Sequence, residues 1–535
     1  MKILLIVPRY LATTEPYYQY AFPIGLASIS QVIKNAGHNV DCLNLNHERG
    51  IAKDIINHAL DTRRYDVICT GNNALGYSIT ETILKTARNH DSHPKTILGG
   101  PIISSEPELV YRMLGPDYGV IGEGEGTVVE LLDFIKNHKD LNNVQGIIFS
   151  EKGGRVVQTP NRKPIDDLDS LPFPDYEGLG YSEQLKNMCT NYSIATFIFD
   201  NPRVYPLLAS RSCPFQCTFC YHDGKYRKRS LDRVMEELNF VVRKHNINIL
   251  AIYDDCFSID KERLLDFCRR MHELRNEVGR DIKWMCQLMV STVDRSVLKI
   301  MKEAGCFMVS YGFESYSLTV LRSMRKYITP EQIDRAYKDT LKEGINVQAN
   351  FIFGDVAETK ETAKITLNYW KKNCRGQVSL GFIQPYPGSA IYQHCLNKGI
   401  IKDKEDFIRN RIREELWLNM TDKMTDKEIA GLRKEILMLT SKYTKFVSPK
   451  RIKRMGKDVY SVKIECPFCR KNNEFKNCLI MNKLTYRFAA LCRYCNLRFN
   501  IVSFLQKIAL KNYSKTERLL AHYAKIMVFL RKSRF

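Results

Sequence analysis

Twice along this chain, short apolar runs alternate with segments of helical spacing, and that alternation restricts the fold to parallel β-sheets flanked by helices. The first series has apolar runs at 2–7, 39–45, 66–70, 96–99 and 119–122, with helix-compatible spacing at 24–35, 52–60, 79–88 and 128–138. The second fills roughly 203–400, and its runs end in polar residues. Ile252-Tyr253 passes into Asp254-Asp255, Cys286 into Gln287, Tyr311 into Gly312-Phe313-Glu314-Ser315, and Phe353 into Gly354-Asp355. We read an α/β protein with a Rossmann-like doubly wound domain over 1–140, a hairpin and linker over 141–200 and a second β/α domain over 201–400. A helical extension over 401–455 and a small basic module with terminal helices over 456–535 follow. The linker reading rests on a hairpin-like stretch at 144–157, turning at Gly153-Gly154, and on the proline and aspartate crowding of 166–175.

Ligands of doubly wound sheets sit beyond the carboxyl ends of the strands, and catalytic groups of β/α barrels gather there too. The glycines of the first series fall at those ends: Gly71 after the third run, Gly99-Gly100-Pro101 after the fourth and Gly122-Glu123-Gly124-Glu125-Gly126 after the fifth. Pro23 and Gly25 open the first helix. Glycine in such turns permits positive φ and close backbone approach to a flat or phosphate-bearing ligand, although any single turn also fits a plain βα connection. No run of eighteen apolar residues is present, and the apolar start at 2–7 is too short for a signal-peptide core. The expected location is therefore the cytoplasm. In that reducing compartment 17 cysteines, an odd number, point to metal sites rather than disulfides.

Three of those cysteines lie within eight residues, Cys213-Pro-Phe-Gln-Cys217-Thr-Phe-Cys220. Closed electron-transfer clusters use four cysteines, so a set of three suggests a cubane with its fourth iron left for a small molecule. The spacing CxxxCxxC, with Phe219 before the last cysteine, resembles the signature of the radical S-adenosylmethionine (SAM) enzymes. The resemblance implies a 4Fe-4S cluster on Cys213, Cys217 and Cys220, SAM chelated to the open iron, and reductive cleavage of SAM to a 5'-deoxyadenosyl radical. It also implies an external electron donor such as flavodoxin or ferredoxin. The order of the second series resembles the radical SAM partial (β/α)6 TIM barrel, which makes Tyr253, Asp254, Asp255, Gln287, Glu314 and Gly354 candidates to line the SAM pocket. Glu358 fits the family's GxxxE turn, or equally a helix-start glutamate.

The first series, taken together, resembles the cobalamin-binding domain fused to many radical SAM enzymes, and the segment Gln384-Pro385-Tyr386-Pro387-Gly388-Ser389 is similar to the same branch. Pro23, Gly25, Gly71, Gly99, Gly100, Pro101, Gly122, Glu123 and Gly124 would then contact cobalamin. The DxHxxG loop of other cobalamin proteins is absent: Leu45 stands at its Asp position, and His47 reads as a surface histidine with no carboxylate to orient it.

The last module holds two CxxC knuckles, Cys466/Cys469 and Cys492/Cys495, the geometry of a tetrahedral zinc ribbon; a rubredoxin-like iron site uses similar ligands. Residues 441–535 carry 23 Lys and Arg against 4 Asp and Glu, a net +19 out of the chain's +22. Such a module could meet nucleic acid, an acidic protein or an anionic membrane surface, with Tyr486, Arg487, Phe488, Arg493, Tyr494, Arg498 and Phe499 as stacking and charged groups, or with the aromatics as the ribbon's own core. The stretch 504–530 reads as amphipathic basic helices.

These readings converge on a cobalamin-dependent radical SAM enzyme that methylates an unactivated carbon of a small-molecule or polymer substrate. Radical rearrangement or cyclisation on the same architecture is the alternative, and a non-catalytic cobalamin- and metal-binding protein is the rival from another class. A methylthiotransferase would carry a further cysteine triad near its start, whereas the first 200 residues hold only Cys42, Cys69 and Cys189.

Overall fold

The computed structural model describes residues 1–511 apart from 222–223, 258, 375 and 413–417. The helix Phe504–Lys511 opens the stretch expected to be helical through 530; the remainder lies outside the described residues. No helix among the described residues is long and apolar enough to cross a membrane.

The first domain is a seven-stranded sheet. Strands β1 (Lys2–Val7), β2 (Asn39–Asn44), β3 (Val67–Gly71), β4 (Lys95–Gly99) and β5 (Tyr118–Val120) are mutually parallel in the order β2-β1-β3-β4-β5. β1 and β3 are apolar and buried along nearly their whole length, as strands covered by helices on both faces must be. The order reverses between β1 and β3, so the turns after these strands and β4 open on one crevice. The hairpin does not stand apart as a linker. Its strand β6 (Ile147–Ser150) adds antiparallel to β5 and β7 (Val156–Gln158) antiparallel to β6, carrying the sheet beyond the expected boundary at 140. Val144, Ile147 and Ile148 are fully buried there.

The second body is a sheet of six parallel strands in the order β15-β14-β13-β12-β11-β8. They are β8 (Val204–Leu207), β11 (Ile249–Ile252), β12 (Lys283–Leu288), β13 (Cys306–Glu314), β14 (Asn346–Phe353) and β15 (Ser379–Phe382). β8 and β15 do not pair, so the barrel is partial. A two-stranded ribbon, β9 (Ser210–Arg211) with β10 (Arg227–Lys228), follows β8.

After the barrel the chain crosses back to the first domain, where Lys404 pairs with Glu106 at 3.0 Å and Arg409 donates to the Tyr77 hydroxyl at 3.1 Å. The helix Asp426–Tyr443 follows, opened by a capping box in which Thr425 and Glu428 satisfy each other's backbone N–H groups. The terminal module comprises β16 (Phe446–Val447), β17 (Arg451–Gly456), β18 (Val459–Glu465), β19 (Asn472–Leu479), β20 (Arg487–Leu491) and β21 (Arg498–Val502), in two three-stranded sheets. Its strands thus begin inside the segment expected to be a helical extension. One apolar core runs from Ile3 and Leu5 in the first sheet, through Trp284 and Phe313 in the barrel, to Phe475 and Phe499 in the terminal module.

Candidate functional site at the mouth of the barrel

The β9–β10 pairing closes a stem, and the loop above it carries Cys213, Cys217 and Cys220. Ser212 enters the loop at φ +63° and donates its hydroxyl to the Gly224 carbonyl at 2.9 Å. Two neighbours hold the middle of the loop: Thr218 N–H donates to the Met324 carbonyl at 3.1 Å, and the Thr218 carbonyl accepts from Ile391 N–H at 2.9 Å. The Tyr221 ring lies against Gly388, where a Cβ would come within 2.5 Å of it; with φ at +87°, glycine is required there on both counts. Cys213 and Cys217 are half-buried, and Cys220 is exposed. The Cys217 thiol is drawn down to about 7 by its hydrogen bond with Cys220 and by the Lys326 ammonium, while the same bond pushes Cys220 up. Three thiols on a pinned, accessible loop, with a cation beside them, fit an anionic cluster.

The polar strand ends divide into two groups. Glu314 ends β13 at φ +56°, beside a register shift, and pairs with Lys326 at 3.1 Å; both act electrostatically on Cys217 and Cys220. Asp255 and Gln287 are exposed at the mouth, where Gln287 Nε2 donates to the Asp255 carbonyl at 2.7 Å. Tyr253 is 41 % exposed and hydrogen-bonds Tyr192 of the linker. Gly354 takes φ +94°, facing Phe382 and Met420.

Asp254 does not belong with these. It is 2 % exposed, and its two oxygens accept from Ala209 N–H at 2.7 Å and the Ser210 hydroxyl at 2.6 Å. It fixes the path into the cysteine loop instead of lining a pocket, and burial pushes its carboxyl up to about 7. Glu358 is likewise a buried turn residue: it accepts from the Thr362 hydroxyl at 2.6 Å and bonds the Gly354 backbone.

In the first domain, a Cβ placed on Gly25 or Gly99 would meet nothing within 4 Å, so the start of the first helix and the end of β4 present bare backbone to open space, as a broad flat ligand requires. Gly71 and Gly100 serve a different need. A Cβ on Gly100, at φ +86°, would lie 2.8 Å from the Asn72 carbonyl oxygen, and one on Gly71 would lie 3.1 Å from that of Gly99, so these glycines let two strand-end turns touch. Pro23 caps the first helix, Pro101 starts the short helix after β4, and Gly122, at φ +75°, donates its N–H to the Ser104 hydroxyl at 2.9 Å. A Cβ on Gly124 would come within 3.0 Å of the Ile29 side chain.

Glu123 corrects the sequence reading. Its oxygens accept from Arg211 Nη1 at 3.1 Å, Arg227 Nη1 at 2.9 Å and Ile165 N–H at 2.6 Å, and Arg211 Nη2 also donates to Glu125 at 2.5 Å. The acidic turn after β5 therefore grips both sides of the cysteine loop's stem, and the Glu123 carboxylate is engaged in that brace. Arg211, Arg227 and Lys326 were missed by the sequence analysis; an arginine just before a cysteine motif was the one signal available.

His47 is not on the surface. Its side chain is 6 % exposed, hydrogen-bonds the Tyr20 hydroxyl at 2.9 Å and faces Glu183 at 3.4 Å. Both ring nitrogens are engaged, so it is a satisfied buried histidine and not a metal ligand. The loop after β1 is rich in tyrosine instead, and its Tyr20 carbonyl accepts from Tyr192 at 2.8 Å, linking it to Tyr253 at the barrel mouth.

Comparisons with known proteins agree with this division. A B12-binding domain model matches residues 11–132 and a radical SAM superfamily model matches 207–369. An uncharacterized methyltransferase of Pyrococcus horikoshii is 30 % identical over 417 residues, covering 75 % of this chain and 84 % of that protein. The anaerobic magnesium-protoporphyrin IX monomethyl ester cyclase of Rubrivivax gelatinosus is 26 % identical over 423 residues, 76 % of this chain and 72 % of the cyclase. Among solved structures, the radical SAM methyltransferase TsrM of Kitasatospora setae, with cobalamin and a [4Fe-4S] cluster bound, superposes with a TM-score of 0.59 at 17 % identity, covering 75 % of each chain.

Proposed function

We propose that this chain, which belongs to the radical SAM enzymes carrying a B12-binding domain, transfers a methyl group to an unactivated carbon, with Cys213, Cys217 and Cys220 holding the cluster. When bound, the cluster and SAM supply a 5'-deoxyadenosyl radical and cobalamin carries the methyl group. The observation that carries the reading is the bridge from Glu123 and Glu125 to Arg211 and Arg227. It sets the cysteine loop beside the glycine turns of the first domain, so that groups held by the two would face one substrate. Asp255, Gln287 and Glu314 would supply polar contacts to SAM, and Gly354 a backbone approach to it. The segment around Met420, beside Gly354, would close the mouth to water. The electron enters from an external donor.

The Pyrococcus relative favours methyl transfer, whereas the cyclase, matched over a similar share of the chain, keeps radical cyclisation as a second reading. Anaerobic reconstitution with iron, sulfide and cobalamin, followed by SAM, reductant and a candidate substrate, tests the two. Methyl transfer yields both 5'-deoxyadenosine and S-adenosylhomocysteine. Deoxyadenosine without S-adenosylhomocysteine favours cyclisation, and no SAM cleavage by the fully loaded protein overturns the enzyme reading.

A further inference from the structure

Neither family match reaches past residue 369, yet the terminal module contains the most regular side-chain cluster among the described residues. The turn after β18 and the turn after β20 are built alike. In the first, Arg470 N–H donates to the Cys466 carbonyl at 3.1 Å, Cys466 N–H to the Lys471 carbonyl at 3.0 Å, and Phe468 N–H points at Cys466 Sγ at 3.4 Å. In the second, Asn496 N–H donates to Cys492 at 2.9 Å, Cys492 N–H to Leu497 at 3.1 Å, and Tyr494 N–H points at Cys492 Sγ at 3.4 Å. Both turns end in a left-handed residue, Arg470 at φ +62° and Asn496 at φ +55°.

The four sulfurs of Cys466, Cys469, Cys492 and Cys495 lie within 4.8 Å of one another, with Cys466 to Cys495 at 3.7 Å and Cys469 to Cys492 at 3.6 Å. A tetrahedron of sulfurs about 2.3 Å from zinc has edges of about 3.8 Å, whereas a disulfide would need about 2 Å. N–H groups aimed at sulfur, including Asn473 Nδ2 at 3.5 Å from Cys492, suit thiolates that carry net negative charge.

What the second turn touches gives the cluster a purpose. Asn496 Nδ2 donates to the Phe307 carbonyl at 2.9 Å and the Gly344 carbonyl at 3.2 Å, and the Asn496 carbonyl accepts from Asn346 Nδ2 at 2.8 Å. Two residues on, Arg498 N–H and carbonyl pair with the Gln377 amide at 2.7 and 2.9 Å. Phe307, Asn346 and Gln377 stand at or just before the first residues of β13, β14 and β15, the end of the barrel opposite the cysteine loop. Some of the expected nucleic-acid groups, Phe488, Arg493, Arg498 and Phe499, are used in the same docking, while Arg487 and Tyr494 are exposed. Arg493 donates to the Phe197 and Glu474 carbonyls and to Asp200, Phe475 and Phe488 pack on Phe197, and Phe499 is buried.

We propose that Cys466, Cys469, Cys492 and Cys495 bind one zinc ion that fixes the second turn as the floor of the barrel, with Asn496 as the plug. Four thiolates fill the shell, so the ion has no open position for a reacting water, and the module acts on barrel stability rather than on substrate.

X-ray absorption at the zinc edge of the unmodified full chain, together with metal analysis, tests the site without any variant. The expected result is about one zinc per chain with four sulfur neighbours at about 2.3 Å; no bound zinc, or a shell of nitrogen and oxygen, overturns it. In Cys495→Ser, zinc should fall to background while cluster iron stays unchanged. Loss of iron in place of zinc would mark an iron site and also overturn the assignment. Asn496→Ala separates the floor from the ion: zinc should stay bound while the thermal midpoint falls by several degrees, and an unchanged midpoint would refute the plug. None of these readouts involves SAM cleavage, so the proposal can fail independently of the proposed reaction.

Discussion

At the scale of single residues, the ion pair beneath the cysteine loop shows how the site is kept electrostatically balanced. Burial pulls the Lys326 pKa down, but Glu314 and Cys217 push it up and prevail, so the ammonium stays charged beside the thiols. With side chains 14 % and 9 % exposed, Lys326 and Glu314 gain little screening from water. Lys326→Met would strand the Glu314 carboxylate, and removing one partner of a buried pair costs about 3 kcal/mol. Urea denaturation should show that loss, and Lys326→Arg should recover much of it; a change within error for Lys326→Met would mean the pair is solvated. Glu314 was legible in the sequence because it ends an apolar run, as barrel catalytic residues do. Lys326 was not, since its approach depends on the turn after the helix Leu318–Ser323.

At the scale of elements, the turn after β5 acts as a clamp on the stem of the cysteine loop. Glu125 is buried, and its partner Arg211 lies 86 residues away in sequence. Glu125→Gln keeps the shape and removes the charge, so the stem should remain folded while the alignment of the two domains loosens. We expect iron content and deoxyadenosine formation to hold while methyl transfer falls about tenfold, because misplacement by an ångström is enough to cost that much. The ratio of S-adenosylhomocysteine to deoxyadenosine measures this; a ratio equal to that of the unmodified protein would show that the clamp does not position the reaction. The same scale explains the hairpin. Two short apolar runs on either side of the Gly153-Gly154 turn announce its two strands, but which edge they join is decided by β5, whose free side β6 covers.

At the scale of the whole molecule, one apolar core joins three bodies that sequence analysis separates. The linker is part of that core: Phe197 meets Phe475 at 5.0 Å, and the Thr190 N–H and hydroxyl donate to the Asn477 and Lys476 carbonyls. A chain ending after Tyr443 would bare the lower end of the barrel, including the wholly buried Asn346. It should be recovered insoluble or without a cooperative thermal transition, and a soluble, sharply melting product would show the barrel closed without its floor.

The sequence by itself determined the two parallel sheets, the cysteine triad and the paired CxxC turns, because strand burial and ligand spacing are local properties that a few consecutive residues satisfy. Only the tertiary structure decided that the Asp254 and Glu123 carboxylates brace the cysteine loop, that the His47 side chain is buried and satisfied, and that the basic module sits under the barrel and not at its mouth. Each of those outcomes depends on which distant backbone or side chain completes a hydrogen bond or ion pair, and long-range pairing leaves no mark on the residues beside it in the chain.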